Sequence, residues 1–264
     1  MKKKCSTALT LASLLVVGSG FFRSAYSYKL LFIMSPILAG GQQGTGNGNV
    51  VGWQFLNDTG ITWSGNYKSG NNTACVASTT PDGDNVVAAQ DCSHGRDTTH
   101  NDDSDGHAGF SYTKLDSNGT PLANQNADYA TTPWACVKDN VTGLIWEVKT
   151  DDGGLHDKDD QYNQYSADSA TNGYVTQVNA TGLCGASDWR MPNRKELLSI
   201  VHYGISSPAI DTSYFPNTVT SDVWSGSPVA YNLAYAWSVD FNYGVSYAYP
   251  RNDTYAVRLV RSGQ

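Results

Sequence analysis

The chain contains 22 aspartates but only two glutamates, Glu147 and Glu196, alongside 26 glycines. Aspartate bonds to neighbouring backbone amides and so favours turns and helix caps. Glycine opens backbone conformations that other residues avoid. A chain biased this way is expected to be rich in loops and short strands. Its 264 residues suffice for one large domain, or for one domain with a smaller companion.

The start, "MKKKCSTALTLASLLVVGSGFFRSAYS", has three lysines, an apolar run from Ala8 to Val17 and small residues at Ala25 and Ser27. This is the layout of a secretory signal, so export to the periplasm, the cell surface or the medium is expected. A second apolar run begins at Leu30, and residues 1–39 read as signal peptide and apolar leader. Neither run reaches the roughly 20 apolar residues of a spanning helix, so no stable membrane span is expected; a retained anchor is the alternative. Cleavage after Ser27 would leave 13 basic residues against 24 acidic ones, a net charge of 13 − 24 = −11. That balance excludes nucleic acid as a partner, because phosphate binding draws on clustered Lys and Arg.

Cys5 lies in the signal, leaving Cys75, Cys92, Cys136 and Cys184. An even number in an exported chain points to disulfides, with three pairings open. No CxxC occurs, so zinc and thioredoxin-like redox chemistry lack support. The five histidines are scattered, and neither HExxH, GxSxG nor a phosphate-binding loop is present, which gives catalysis no motif to rest on.

After a Gly-rich linker at 40–49, residues 50–135 are acidic and turn-rich and read as short strands tied by disulfide. "NDTGITW" from Asn57 and "NVTGLIW" from Asn140 repeat one device, a glycine turn followed by a strand with an aliphatic residue and Trp on one face. In "LCGASDWRMPNRKELLSIV", Pro192 stops an extended segment and Asn193 caps a short helix. Glu196 is placed to reach back to that cap, and Leu197, Ile200 and Val201 form the apolar stripe. The end reads as a strand meander, "AWSVDF" turning at "NYG" into "VSYAY", then turning at "PRND" into a closing strand "TYAVRLVR". Short helices with an antiparallel meander make an α+β domain.

"DNVTGLIWE", "LCGASDWRMPNRKELLSIV", "SPAIDTSYFP", "VWSGSP", "WSVDFNYG" and "VRLVR" occur in an order that resembles the Lcl C-terminal domain family of bacterial envelope and collagen-like adhesin proteins. The resemblance covers roughly residues 136–264. It implies a C-type lectin-like fold, distantly similar to formylglycine-generating enzymes, and in adhesin members the binding of sulfated polysaccharide. The acidity of this chain works against a polyanion, since sulfate recognition draws on Arg and Lys. Asp188, Trp189, Arg190, Pro192, Glu196, Trp224, Trp237 and Arg258 are then structural signature residues, with Trp189 in the core and Arg190 paired to Glu196 or Asp188. Within the recognised domain Cys136 is expected to pair with Cys184, leaving Cys75 and Cys92 to close a short loop.

Three functions are compatible with these residues. A lectin-like module would bind polysaccharide or a surface glycan through aromatic faces, with Tyr231, Tyr235, Tyr243, Tyr247 and Tyr249 as its ligand-binding residues. A non-catalytic structural envelope module and, third, an enzyme on a formylglycine-generating-like fold are the alternatives. One cofactor is open. In "THNDDSDGHAGF", Asn101, Asp103 and Asp105 alternate before Gly106, and the carbonyl of His107 follows, as in the first half of a calcium loop. The twelfth position is Tyr112 rather than Glu, so the choice lies between a Ca2+ site and a solvated acidic loop. "DDGGLHDKDD" clusters Asp157, Asp159 and Asp160 without a ligand spacing and reads as a loop.

Overall fold

A computed structural model describes residues 57–61, 78–79, 85–86, 95–100 and 104–263. The signal and linker segments, Cys75, Cys92, Asn101 and Asp103 lie outside the described residues. Two short strands, β1 (Ser78–Thr79) and β2 (Asn85–Val86), pair antiparallel. Strands β3 (Tyr112–Leu115), β4 (Cys136–Asp139) and β5 (Leu144–Glu147) follow. The turn between β4 and β5 is built by Asp139, whose Oδ1 accepts the amides of Val141 and Thr142, and by Gly143 at φ 73°. The first copy of the repeated device reaches the residue just before the second, for Asn57 donates to the Asp139 carboxylate as well as to the Ser199 carbonyl.

Beyond β5 come β6 (Tyr162–Asn163), α1 (Gln164–Ala167), α2 (Tyr174–Thr181) and α3 (Arg194–Leu198). The helices are short because the chain supplies caps more readily than helix interiors. Asn163 caps α1, and α2 ends at Gly182 in the left-handed region (φ 68°). Helix α3 carries a capping box: Asn193 accepts from the Glu196 amide, while the Glu196 carboxylate accepts from the Asn193 amide. A disulfide joins Cys136 on β4 to Cys184 after α2.

The second half is a meander of β7 (Asp222–Val229), β8 (Asn232–Asp240) and β9 (Val245–Pro250). The β8–β9 turn requires its glycine twice over. Gly244 has φ 74°, and a Cβ there would lie 2.6 Å from a methyl of Val201. The tail departs from the expected single closing strand. "TYAVRLVR" divides into β10 (Thr254–Tyr255), paired with β6, and β11 (Val260–Ser262), paired with β5. The division follows from burial on both faces, since Val257, Arg258, Leu259 and Val260 are all inside and Arg258 bonds backwards into the core.

Strand order in the larger sheet is β11-β5-β4-β3, so β3, from the acidic turn-rich region, forms one edge of the sheet that holds the first family motif. One core cluster joins Tyr112, Trp134, Trp146, Ile200, Phe215 and Phe241; a second joins Trp189, Trp224, Tyr174 and Leu259. Each such fully buried side chain contributes about 1.5–3 kcal/mol of transfer free energy. Among the described residues no helix is long and apolar enough to cross a membrane.

Candidate functional site

The face of β3 that carries Tyr112 also carries Lys114, and both are buried. The chain after β3 folds back over this face. Leu122 donates its amide to the Lys114 carbonyl, and the Gln125 side chain clamps both backbone groups of Lys114. Further along, the Trp134 indole N–H donates to the Tyr214 carbonyl (2.9 Å), and Tyr129 stands edge-on to Trp134 at 4.9 Å. Opposite, Asp211 orders a turn by accepting the Ser213 amide, and its second oxygen meets His107 Nδ1 at 2.7 Å. Between these segments lies a cleft of about 510 Å3. Its walls present Lys114, Tyr129, Trp134 and Tyr214, and its polar rim is Ser104, His107, Asn126, Asp128, Thr212 and Ser213.

Lys114 is 4% exposed. Its ammonium sits 4.2 Å from the Trp134 ring centre and 5.0 Å from that of Tyr214, and it donates to the Ala127 carbonyl at 2.9 Å. Burial lowers its pKa, partly opposed by the more distant carboxylates Asp211 and Asp128. Burial also pushes the Tyr214 phenol up to about 12, helped by Asp211 and Asp105, so that hydroxyl remains a donor at neutral pH. The cleft thus combines aromatic walls, one buried cation and a rim of hydroxyl, amide and carboxylate groups.

A second polar cluster is sealed in the core. Glu147 accepts from the Tyr174 hydroxyl and from the Leu259 amide, and lies 2.9 Å from His156 and 3.3 Å from Lys149. Burial alone would raise this carboxyl, but the Lys149 charge and the bonds from His156 and Tyr174 outweigh it and hold the pKa at about 2. Arg258 donates to the Glu147 carbonyl and to the Thr218 hydroxyl, and burial lowers its pKa to about 10. Apart from Arg258 Nε, which has no hydrogen-bond partner among the described residues, these groups bond to one another and cross-link β5, α2 and the tail.

Arg190 makes two bonds to Glu196, at 2.6 and 2.7 Å, while Asp188 pairs instead with Arg261 at 2.5 Å. Trp189 and Trp224 are core residues, their indoles donating to Leu183 and Tyr162; Pro192 is buried, and its carbonyl accepts the Gly226 amide. Trp237 lies half-buried under the Arg194 guanidinium at 4.0 Å.

The five tyrosines read as ligand residues are not brought together. Tyr231 and Tyr243 lie in the turns at opposite ends of β8, about 30 Å apart for a nine-residue strand. Tyr235 faces one side of the sheet; Tyr247 and Tyr249, opposite Ser238 and Ala236, face the other. Of the calcium positions, the described Asp105 accepts from the Ser111 hydroxyl, and the His107 carbonyl accepts the Phe110 amide. In the later acidic loop the structure gathers Asp151, Asp157 and Asp159 rather than Asp160. Asp157 there accepts the amides of Asp152, Gly153 and Asp159, and the Lys158 ammonium bridges Asp151 and Asp159. That loop carries its own cation.

Sequence reasoning missed Lys114, Tyr129, Trp134 and Tyr214. A signal for the first existed: Phe110, Tyr112 and Lys114 alternate, so a lysine continues an aromatic row that turns inward. Nothing local joins that row to Trp134 or Tyr214.

A comparison with curated proteins finds no match. Residues 135–261 match the family model described as the Lcl C-terminal domain. The matched span runs from just before β4 to within β11 and includes Glu147, the Arg190–Glu196 pair, Arg258 and one wall of the cleft, whereas Lys114, Tyr129 and Trp134 precede it. Residues 135–261 of this chain therefore belong to the Lcl C-terminal domain family.

Proposed function

We propose that this is an exported, non-catalytic binding protein whose C-type lectin-like domain holds a carbohydrate in the cleft between Tyr129, Trp134 and Tyr214. The reading is carried by one observation: a concavity of about 510 Å3 combines aromatic side chains with rim hydroxyls, an amide and a carboxylate. Sugars present apolar C–H faces and polar edges, so they are recognised by aromatic rings together with Asn, Asp, Ser and Thr. The volume falls within the range of small-ligand sites. The family match supports placing the protein outside the cell or on its surface.

The second reading is a purely structural envelope module, favoured by the sealed Glu147–Arg258 network and the Cys136–Cys184 bond. A glycan array probed with the purified mature protein, and with Tyr129→Ala, separates the two. Carbohydrate binding that is lost in Tyr129→Ala supports the cleft. A silent array, or binding indifferent to Tyr129, leaves the structural module.

A further inference from the structure

The cleft contains a cation, Lys114, that has no ion-pair partner among the described residues. Lys114 is more than nine-tenths buried, yet among the described residues no carboxylate lies within ion-pairing distance of its ammonium. Three other buried or half-buried cations have a carboxylate partner, while Arg258, equally buried, is held by the Glu147 carbonyl and the Thr218 hydroxyl. Lys149 has Glu147, Arg190 has Glu196, and Arg261 has Asp188. Among the described residues the Lys114 ammonium has one hydrogen-bond acceptor, the Ala127 carbonyl, and faces two rings, which leaves ammonium protons without an acceptor there. A buried charge is retained at a cost unless a partner of opposite sign completes it. This one forms part of a cleft wall, where such a partner can be brought in from outside.

We infer that the cleft contains an anion subsite, with Lys114 as its cation, and that the carbohydrate it takes carries a single carboxylate, as a hexuronic acid residue does. The inference rests on the carbohydrate reading for the sugar and on Lys114 alone for the anion. One charge rather than many fits the surroundings. Asp128 and the His107–Asp211 pair flank the same cleft and repel a dense polyanion, and the whole chain carries a net charge of −7. The Trp134 and Tyr214 rings lie against the ammonium, and a less polar surround of this kind strengthens its attraction for one well-placed carboxylate. The rings can also take the C–H face of the sugar that bears it.

Two matched pairs of probes test this by amide chemical-shift titration of the full mature protein. Acetate and acetamide have the same shape and differ in charge. Acetate is expected to shift the amides of residues 114, 127 and 214 saturably, with acetamide at least tenfold weaker, and Lys114→Met is expected to abolish the difference. Methyl β-glucuronide and methyl β-glucoside share one ring. The glucuronide is expected to bind at least tenfold more tightly to the native protein, with the ratio falling below twofold in Lys114→Met. Met has nearly the shape of Lys without its charge, and a preserved amide spectrum shows that the variant is folded. Equal response to acetate and acetamide overturns the anion subsite. A response to acetate with neither glycoside binding overturns the carbohydrate reading and the hexuronic acid while leaving the anion subsite in place. Glycosides that bind with equal affinity overturn the hexuronic acid alone.

Discussion

Replacing Arg190 by Ala is expected to destabilise the protein by about 2–3 kcal/mol without reaching the cleft. Arg190 supplies both bonds of a bidentate pair, and the partner, Glu196, is wholly buried. Without the guanidinium, Glu196 keeps the Asn193 amide on one oxygen and loses its contacts on the other. Removing one member of a buried pair typically costs about 3–5 kcal/mol, whereas an exposed pair is worth about 0–1 kcal/mol. The Arg190 side chain is 43% exposed, so water enters when it is cut back and the cost falls below the buried range. For a domain of this size 2–3 kcal/mol lowers Tm by roughly 5–10 °C. Urea denaturation at neutral pH measures the loss directly, with Asp188→Ala as the comparison. Asp188 is 55% exposed in its pair with Arg261, so its removal is expected to cost no more than about 1 kcal/mol. Equal losses for the two variants, or less than about 1 kcal/mol for Arg190→Ala, would refute the view that Glu196 depends on Arg190.

Two further outcomes follow from the buried groups. Glu147 titrates near 4.5 when unfolded and at about 2 in the fold, so its contribution is fully present above pH 4.5 and is lost as pH falls towards 2. It amounts to about 3 kcal/mol; denaturation at pH 6 and pH 2.5 is expected to show that loss, and Glu147→Gln to flatten it, whereas an equally steep fall in the variant would contradict the assignment. The Cys136–Cys184 bond closes a separation of 48 residues, for which the chain-entropy relation gives about 4 kcal/mol. The paired Cys136→Ala, Cys184→Ala variant is expected to lose a large part of this in urea, and a loss below 1 kcal/mol would contradict it.

What was legible in the sequence was what is local. Asn193 and Glu196 stand three apart, so the capping box of α3 follows from spacing alone, and the β8–β9 hairpin follows from the alternation of Trp237 and Val239 ahead of "NYG". The mixed helix and antiparallel sheet character follows in the same way from the capped short helix and the strand meander. The tail misled because "TYAVRLVR" alternates like a strand, while the structure divides it where Arg258 turns in to meet Glu147, 111 positions earlier. The cleft was illegible for the same reason. Its walls meet through Trp134 and Tyr214, 80 positions apart, and the late tyrosines, conspicuous in the sequence, are divided between two faces and two ends of a sheet. Composition indicated that aromatic and polar groups are plentiful; only tertiary packing decides which of them share a concavity.

The most direct test of the cleft as the binding site is to locate a bound glycan. Amide chemical-shift perturbations, recorded with the strongest ligand from the glycan array, report which residues it touches. The expected result is that the largest shifts fall on Ser104, His107, Asn126, Asp128, Tyr129 and Thr212, with Tyr247 and Tyr249 unmoved. Shifts centred on β8 and β9, with the cleft silent, would contradict it.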